Sequence, residues 1–306
     1  MNTQSNAVPE SLDSQAIVPT CLWPTHPFYW SVRRELWENR SIYLAPLAAA
    51  GAALLGYLIS MTGLTHWSLS ALHSMDQRKF AQPYDTTAGV MMATMILVTV
   101  FYCADALYGE RRDRSILFWK SLPVSDLTTV LAKASIPFVV LPLITFAITV
   151  ALQFIMLLLD SAVLLASGKS VAALWTQLSV IQMWLLLLYH LFTAHTLWPA
   201  PVYCWLLLVS GWARRATLLW AALPIVAIAG VEKLVFQTSR FAVLVGSRFI
   251  GDTPSVALTP NMFPTDPMTH ITPGTFLSTP GLWIGLAIAA AFLAAEVRLR
   301  RYQGPI

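Results

Sequence analysis

Few side chains in this sequence are of a type and spacing that could do chemistry. Gly168-Lys169-Ser170 ends like a phosphate-binding loop, whose lysine and hydroxyl would hold a nucleotide and its Mg2+. Such a loop needs another glycine five positions before Gly168, and Val163 stands there. His190 and His195 are five apart, which turns them about 140° from each other around a helix. Two ligands for one metal want a separation of three or four, so both histidines are expected to face neighbouring helices as ordinary polar residues. Glu232 and Lys233 are adjacent, cannot face each other, and read as interfacial side chains reaching for water. His66 and His73 fall in a polar loop. Cys21, Cys103 and Cys204 show neither a CxxC pair nor zinc spacing, and the latter two, inside apolar segments, read as reduced thiols. HExxH, GxSxG and paired carboxylates are missing as well. The expectation is a protein that is not an enzyme, with no cofactor and no metal.

Two other patterns carry more information. Thr145, Thr149 and Gln153 recur every fourth residue in an otherwise apolar run, with Pro142 just before them. Such a stripe must face protein or a cavity rather than lipid. It serves helix–helix hydrogen bonding, or else it is a candidate translocation path. The second pattern is the stretch from Asp105 to Asp126. Glu110, Arg111, Arg112, Asp113 and Arg114 give it mixed charge, with Arg111 and Arg112 placed to neutralise Asp105. Ile116, Leu117, Phe118 and Trp119 then follow in succession, before Lys120 and Pro123, and Ser125 is placed to cap the next helix. Four bulky apolar residues in a short loop must be covered, by the membrane interface or by a groove on a partner protein.

The elements that hold these residues must sit in lipid. Of 306 residues, 57% are hydrophobic and 11% charged, where about 25% charged is usual for a soluble domain. Mean hydropathy is +0.63, so an ordinary water-soluble enzyme is excluded. A net charge of +4 without a basic run gives no reason to expect nucleic acid as a partner. Residues 1–27 are polar and punctuated by proline, and are expected to form a disordered cytoplasmic tail. Residues 28–41 alternate apolar and charged positions at helical spacing. Trp30 and Trp37 among Arg33 and Arg34 suggest an interfacial amphipathic helix. Spans of about 20 apolar residues follow at about 42–62, 88–107, 136–159, 217–236 and 281–297. The run from Val171 to Gly211 is too long for one span and is interrupted at Trp198-Pro199-Ala200-Pro201. It reads as one broken helix over 176–211, or as an external interfacial helix followed by a short span. Residues 237–280 are too proline-rich for a spanning helix. The expected fold is therefore all-α: six transmembrane helices, an N-terminal interfacial helix, and a cytoplasmic coupling loop between helices two and three.

Charge sets the orientation. With the N-terminus inside, thirteen Lys and Arg fall on the cytoplasmic side and six on the other. Such an excess marks the inner face of a membrane and puts both ends of the chain there.

The run YGERRDRSILFWKSLPVSD (108–126), with VRRELWENRSIYLAPL (32–47) before it and LLLVSGWARRA (206–216) after it, resembles the permease subunits of ABC-2 type transporters. The resemblance spans about residues 28–300. It implies a multi-pass permease of the bacterial inner membrane, an exporter that pairs with a second permease copy and a separate ATP-binding-cassette ATPase. It also implies cassette coupling through Glu110, Arg111, Arg112, Arg114, Ile116, Leu117, Phe118, Trp119 and Lys120, with help from the N-terminal helix. The Pro-rich segment 237–280 departs from the family pattern. An ion-coupled secondary transporter is the rival expectation. It would want inverted repeats and mid-membrane charge, neither of which the sequence displays.

Overall fold

The computed structural model describes residues 25–64, 77–112, 124–168, 170–177, 179–250 and 273–302. Every regular element among them is helical. Among the described residues six helices are long and apolar enough to cross a membrane. The N-terminal α1 covers Thr25–Glu38, and after Asn39 and Arg40 the chain enters α2, Ser41–Leu64. Asn39 ends α1 by donating both its backbone N–H and its side-chain amide to Glu35 O. Next come α3 (Gln77–Asp105) and, past a break at Ala106-Leu107, the single turn α4 (Tyr108–Arg112).

Helix α5 (Asp126–Ser135) opens on Ser125, whose Oγ accepts the Thr128 N–H. It runs through a π-helical turn, Ile136–Val140, into α6, Leu141–Ala166. Pro137 has no N–H to give, and the ladder resumes with Leu141 N–H reaching Ile136 O, five residues back. A second π turn, Thr193–Leu197, links α8 (Val180–Phe192) to α9 (Ala200–Trp212), with Trp198 and Pro199 between it and α9. The short α7 (Ala172–Gln177) precedes this pair. The run 176–211 is thus a helix from Val180 to Trp212 broken at Trp198-Pro199, and the two π turns touch each other.

Helix α10 covers Thr217–Phe236, and α11 covers Arg240–Ile250, a short helix inside the stretch read as too proline-rich for a spanning one. A short α12 (Pro273–Ser278) leads into the last helix, α13, Pro280–Tyr302. Helix α3 is the hub of the bundle, packed on α2, α6 and α9, and it is far more buried than α10. Helix α13 lies along α9, and α1 lies on α5. The core is built from such residues as Met92, Met95, Tyr102, Leu187, Tyr203 and Leu207. Cys103 and Cys204 are buried free thiols within it.

Candidate functional site: a charged hub at one end of the bundle

Lys133 and Glu35 are each only 2% exposed, which no charged side chain tolerates without partners. Their surroundings define a cluster at what is called here the basal end, where α1, α4, α5 and α13 meet. Lys133 Nζ lies 2.8 Å from Glu35 Oε1 and 3.2 Å from Glu110 Oε1, and it donates to Ala106 O at 2.7 Å. Glu110 also receives Arg34 on Oε1 and Arg300 Nη1 on Oε2, the latter at 3.1 Å. Arg300 continues through its Nε to Asp126 Oδ1 at 3.2 Å, and Tyr102 OH donates to Glu35 Oε2 at 3.0 Å. Arg34, Lys133 and Arg300 thus oppose Glu35, Glu110 and Asp126, three charges of each sign, with Glu38 a fourth carboxylate at the rim. Only such pairing, with dense hydrogen bonding, makes burial of this many charges bearable. At its rim Glu38 pairs with Arg34, while partial burial raises its carboxyl above the usual range.

Local sequence explains why these groups converge. In α1 the apolar side chains Val32 and Leu36 pack on the core, so Glu35 between them has to point the same way. The α3 break exposes Ala106 O, and Lys133, one turn before the Pro137 irregularity, fills that acceptor. Beyond the break, α4 is clamped to the end of α9. Leu107 N–H and Tyr108 N–H both donate to Ser210 Oγ, and Arg111 Nη2 donates to Ser210 O at 2.6 Å and Ala213 O at 3.0 Å. Carbonyls at a helix C-terminus lack partners along the chain, so a guanidinium is a natural cap. Beside this clamp Glu296 of α13 is 2% exposed and fills the notch over Gly211, where a Cβ would collide with its carboxylate.

The opposite, distal end is fastened differently. Asp160 of α6 accepts hydrogen bonds from Tyr57 OH of α2 at 2.5 Å and Tyr84 OH of α3 at 2.6 Å. Two turns earlier on α6, Gln153 donates to Tyr84 O and accepts from Trp184 Nε1 of α8. Farther along the chain Glu232 accepts from Thr238 Oγ1 and from the N–H groups of Arg240 and Phe241, each at 2.8 Å. It thereby caps α11, whose positive dipole end favours a carboxylate. Arg248 of α11 reaches Trp198 O and Gly281 O, and its guanidinium lies 4.4 Å from the Trp198 ring centroid.

The structure redistributes the residues singled out from sequence. Glu110 and Arg111 join the hub and the clamp, while Arg112 is exposed beside the Tyr108 ring. Arg111 does not neutralise Asp105 as expected, because the α3 break turns it towards the α9 carbonyls and Asp105 is left exposed. Arg114, Ile116, Leu117, Phe118, Trp119 and Lys120 lie outside the described residues, as do Cys21, Lys169 and residues 1–24. In α1, Trp30 and Trp37 are exposed and Arg33 lies beside them, whereas Arg34 turns inward to Glu110. Thr145, Thr149 and Gln153 are all buried: Thr149 bonds back to Thr145 O, Gln153 bridges α3 and α8, and the Thr145 hydroxyl has no partner among the described residues. Glu232 is a helix cap rather than a snorkelling side chain. His190 bonds to Leu186 O, and both ring nitrogens of His195 are buried without a hydrogen-bond partner among the described residues. Among the described residues no three His, Cys, Asp or Glu side chains gather as a metal site.

Sequence reading missed Glu35, Lys133, Glu296, Arg300, Asp160, Tyr57 and Tyr84. A signal existed for three of them. Lys133 stands in the apolar run Val130–Val140, Asp160 directly follows Leu157–Leu159, and Glu296 lies four residues before Arg300 on one helix face. No family model matches the chain, and no curated protein and no solved structure is similar enough to match it.

Proposed function

We propose that this chain is the permease subunit of an ATP-binding-cassette exporter, lying in a bacterial inner membrane with both ends in the cytoplasm and working with a second permease copy. The observation that supports it is the hub. Residues 113–125 are bracketed by α4 and α5, and these two elements are tied by buried ion pairs to α1 and α13 and by a hydrogen-bonded clamp to α9. A partner that pulls on this connection therefore pulls on α1, α9 and α13 at once. Closure of an ATPase bound there would reach the bundle as rigid-body tilting, the ordinary route by which packed helices respond to force. In this reading Ile116–Trp119 are the docking residues, and the charged stretch before them is structural.

The test is a pull-down of the ATPase with full-length protein, alongside transport in proteoliposomes. Replacing Phe118 and Trp119 together by Ala should abolish both while leaving membrane insertion intact, because aromatic anchors dominate small contacts. Unchanged capture with unchanged transport would refute the docking role. One observation favours the rival, an ion-coupled transporter: among the described residues Asp160 meets only neutral phenols and no cation. Transport that needs no ATPase and stops when the proton gradient is collapsed would decide for that rival.

A further inference from the structure

Helix α1 presents two faces of opposite character. On the inner face Arg34 and Glu35 are consumed by the hub. On the outer face Trp30, Arg33 and Trp37 line up at positions i, i+3 and i+7, and Tyr29 stands edge-on to Trp30. The Arg33 guanidinium carbon is 5.1 Å from the Trp30 ring centroid and 4.8 Å from that of Trp37. The indoles themselves are 55% and 67% exposed, a large apolar area to leave in water.

Arg33 differs from the cations around it. Arg34, Lys133 and Arg300 each meet carboxylates, and Arg111 meets carbonyls. Among the described residues no carboxylate or carbonyl pairs with Arg33. A planar fork of five donors, held between two rings, has already lost much of its rotamer freedom and matches the geometry of a phosphate. The rings indicate where that phosphate comes from. Tryptophan prefers the boundary of hydrocarbon and water, where one edge is apolar and the other wet. Only Asn39 and Arg40 separate α1 from the apolar α2, so the outer face of α1 is adjacent to where the chain enters lipid.

We propose that Trp30, Arg33 and Trp37 form a binding site for the phosphate of an anionic phospholipid, which seats α1 on the membrane surface. This rests on the reading of the chain as a membrane domain, and it does not depend on the ATPase. The test uses full-length protein in nanodiscs of phosphatidylcholine with a fraction of phosphatidylglycerol, with retained lipids counted by native mass spectrometry. Wild type should retain phosphatidylglycerol in preference to phosphatidylcholine. Arg33→Gln should reduce that preference about fivefold, the worth of one basic residue at an anionic surface. Trp30→Leu with Trp37→Leu should reduce it with the charge intact, and Arg301→Gln, an exposed cation, should not. Equal retention by wild type and Arg33→Gln would overturn the proposal. So would an intact lipid preference with loss of ATPase capture in Arg33→Gln, which would make this face a protein-docking surface. A lost preference in a protein that captures no ATPase would support the lipid site while refuting the transporter assignment.

Discussion

At the basal end three cations and three carboxylates from four helices close on one another, whereas at the distal end one carboxylate, Asp160, is held by two phenols. Both devices join helices far apart in sequence, yet they differ in how they fail. In the basal hub Glu35, Glu110, Lys133 and Arg300 are buried on the strength of their neighbours, so losing one strands the others without compensation. In the distal clasp the donors are neutral, and losing one partner leaves a group that water or lipid headgroups can still satisfy. A bundle built this way is stiffer at its basal end than at its distal end.

The comparison is most exposed at Glu110, which touches Arg34, Lys133 and Arg300. Glu110→Ala should lower the stability of the purified protein by about 3–5 kcal/mol, read as thermal unfolding in nanodiscs. If Asp160→Ala costs as much, the contrast between the two ends is wrong. Gly211→Ala comes next, at about 1–3 kcal/mol, because the new Cβ drives into the Glu296 carboxylate. In a Glu296→Ala background the same change should be nearly silent, and additivity of the two would mean that the notch is not what restricts position 211. At the distal end Asp160→Asn and Tyr57→Phe should each cost about 1 kcal/mol by the same measurement, with Gln153→Leu in the same range. Cysteines at Ser74 and Ser255 should react with an impermeant maleimide added outside intact cells, and one at Ser115 should not, with no loss of stability in any. Labelling of Ser115 would place the hub on the opposite side and overturn the proposed orientation.

How much of this was legible beforehand depends on what each feature rests on. Apolar runs of span length are local, so Ile42–Met61 and Thr217–Phe236 announce their helices by composition alone, and Ser125 announces its cap. The stripe at Thr145, Thr149 and Gln153 announced that it had to face protein, because hydroxyls and amides cannot lie unpaired in lipid. Its partners were not legible: Gln153 meets Tyr84 across 69 positions and Trp184 across 31. Arg33 and Arg34 are neighbours of the same type, and only the rotation of α1 against α5 sends one outward to two indoles and the other inward to Glu110. Helix α11 was hidden by the prolines that follow it, and its start depends on a carboxylate eight positions earlier, Glu232, folding back to cap it.

By itself, then, the sequence determined the helical character of the described residues, with six helices among them apolar enough for a membrane, since burial of apolar side chains and satisfaction of backbone groups are decided within each segment. Tertiary structure decided which charges meet. Glu35 reaches Lys133 across 98 positions, and Glu110 reaches Arg300 across 190. Such pairs have no signature in spacing, because a buried charge is stable only beside a partner whose position depends on how all the helices pack.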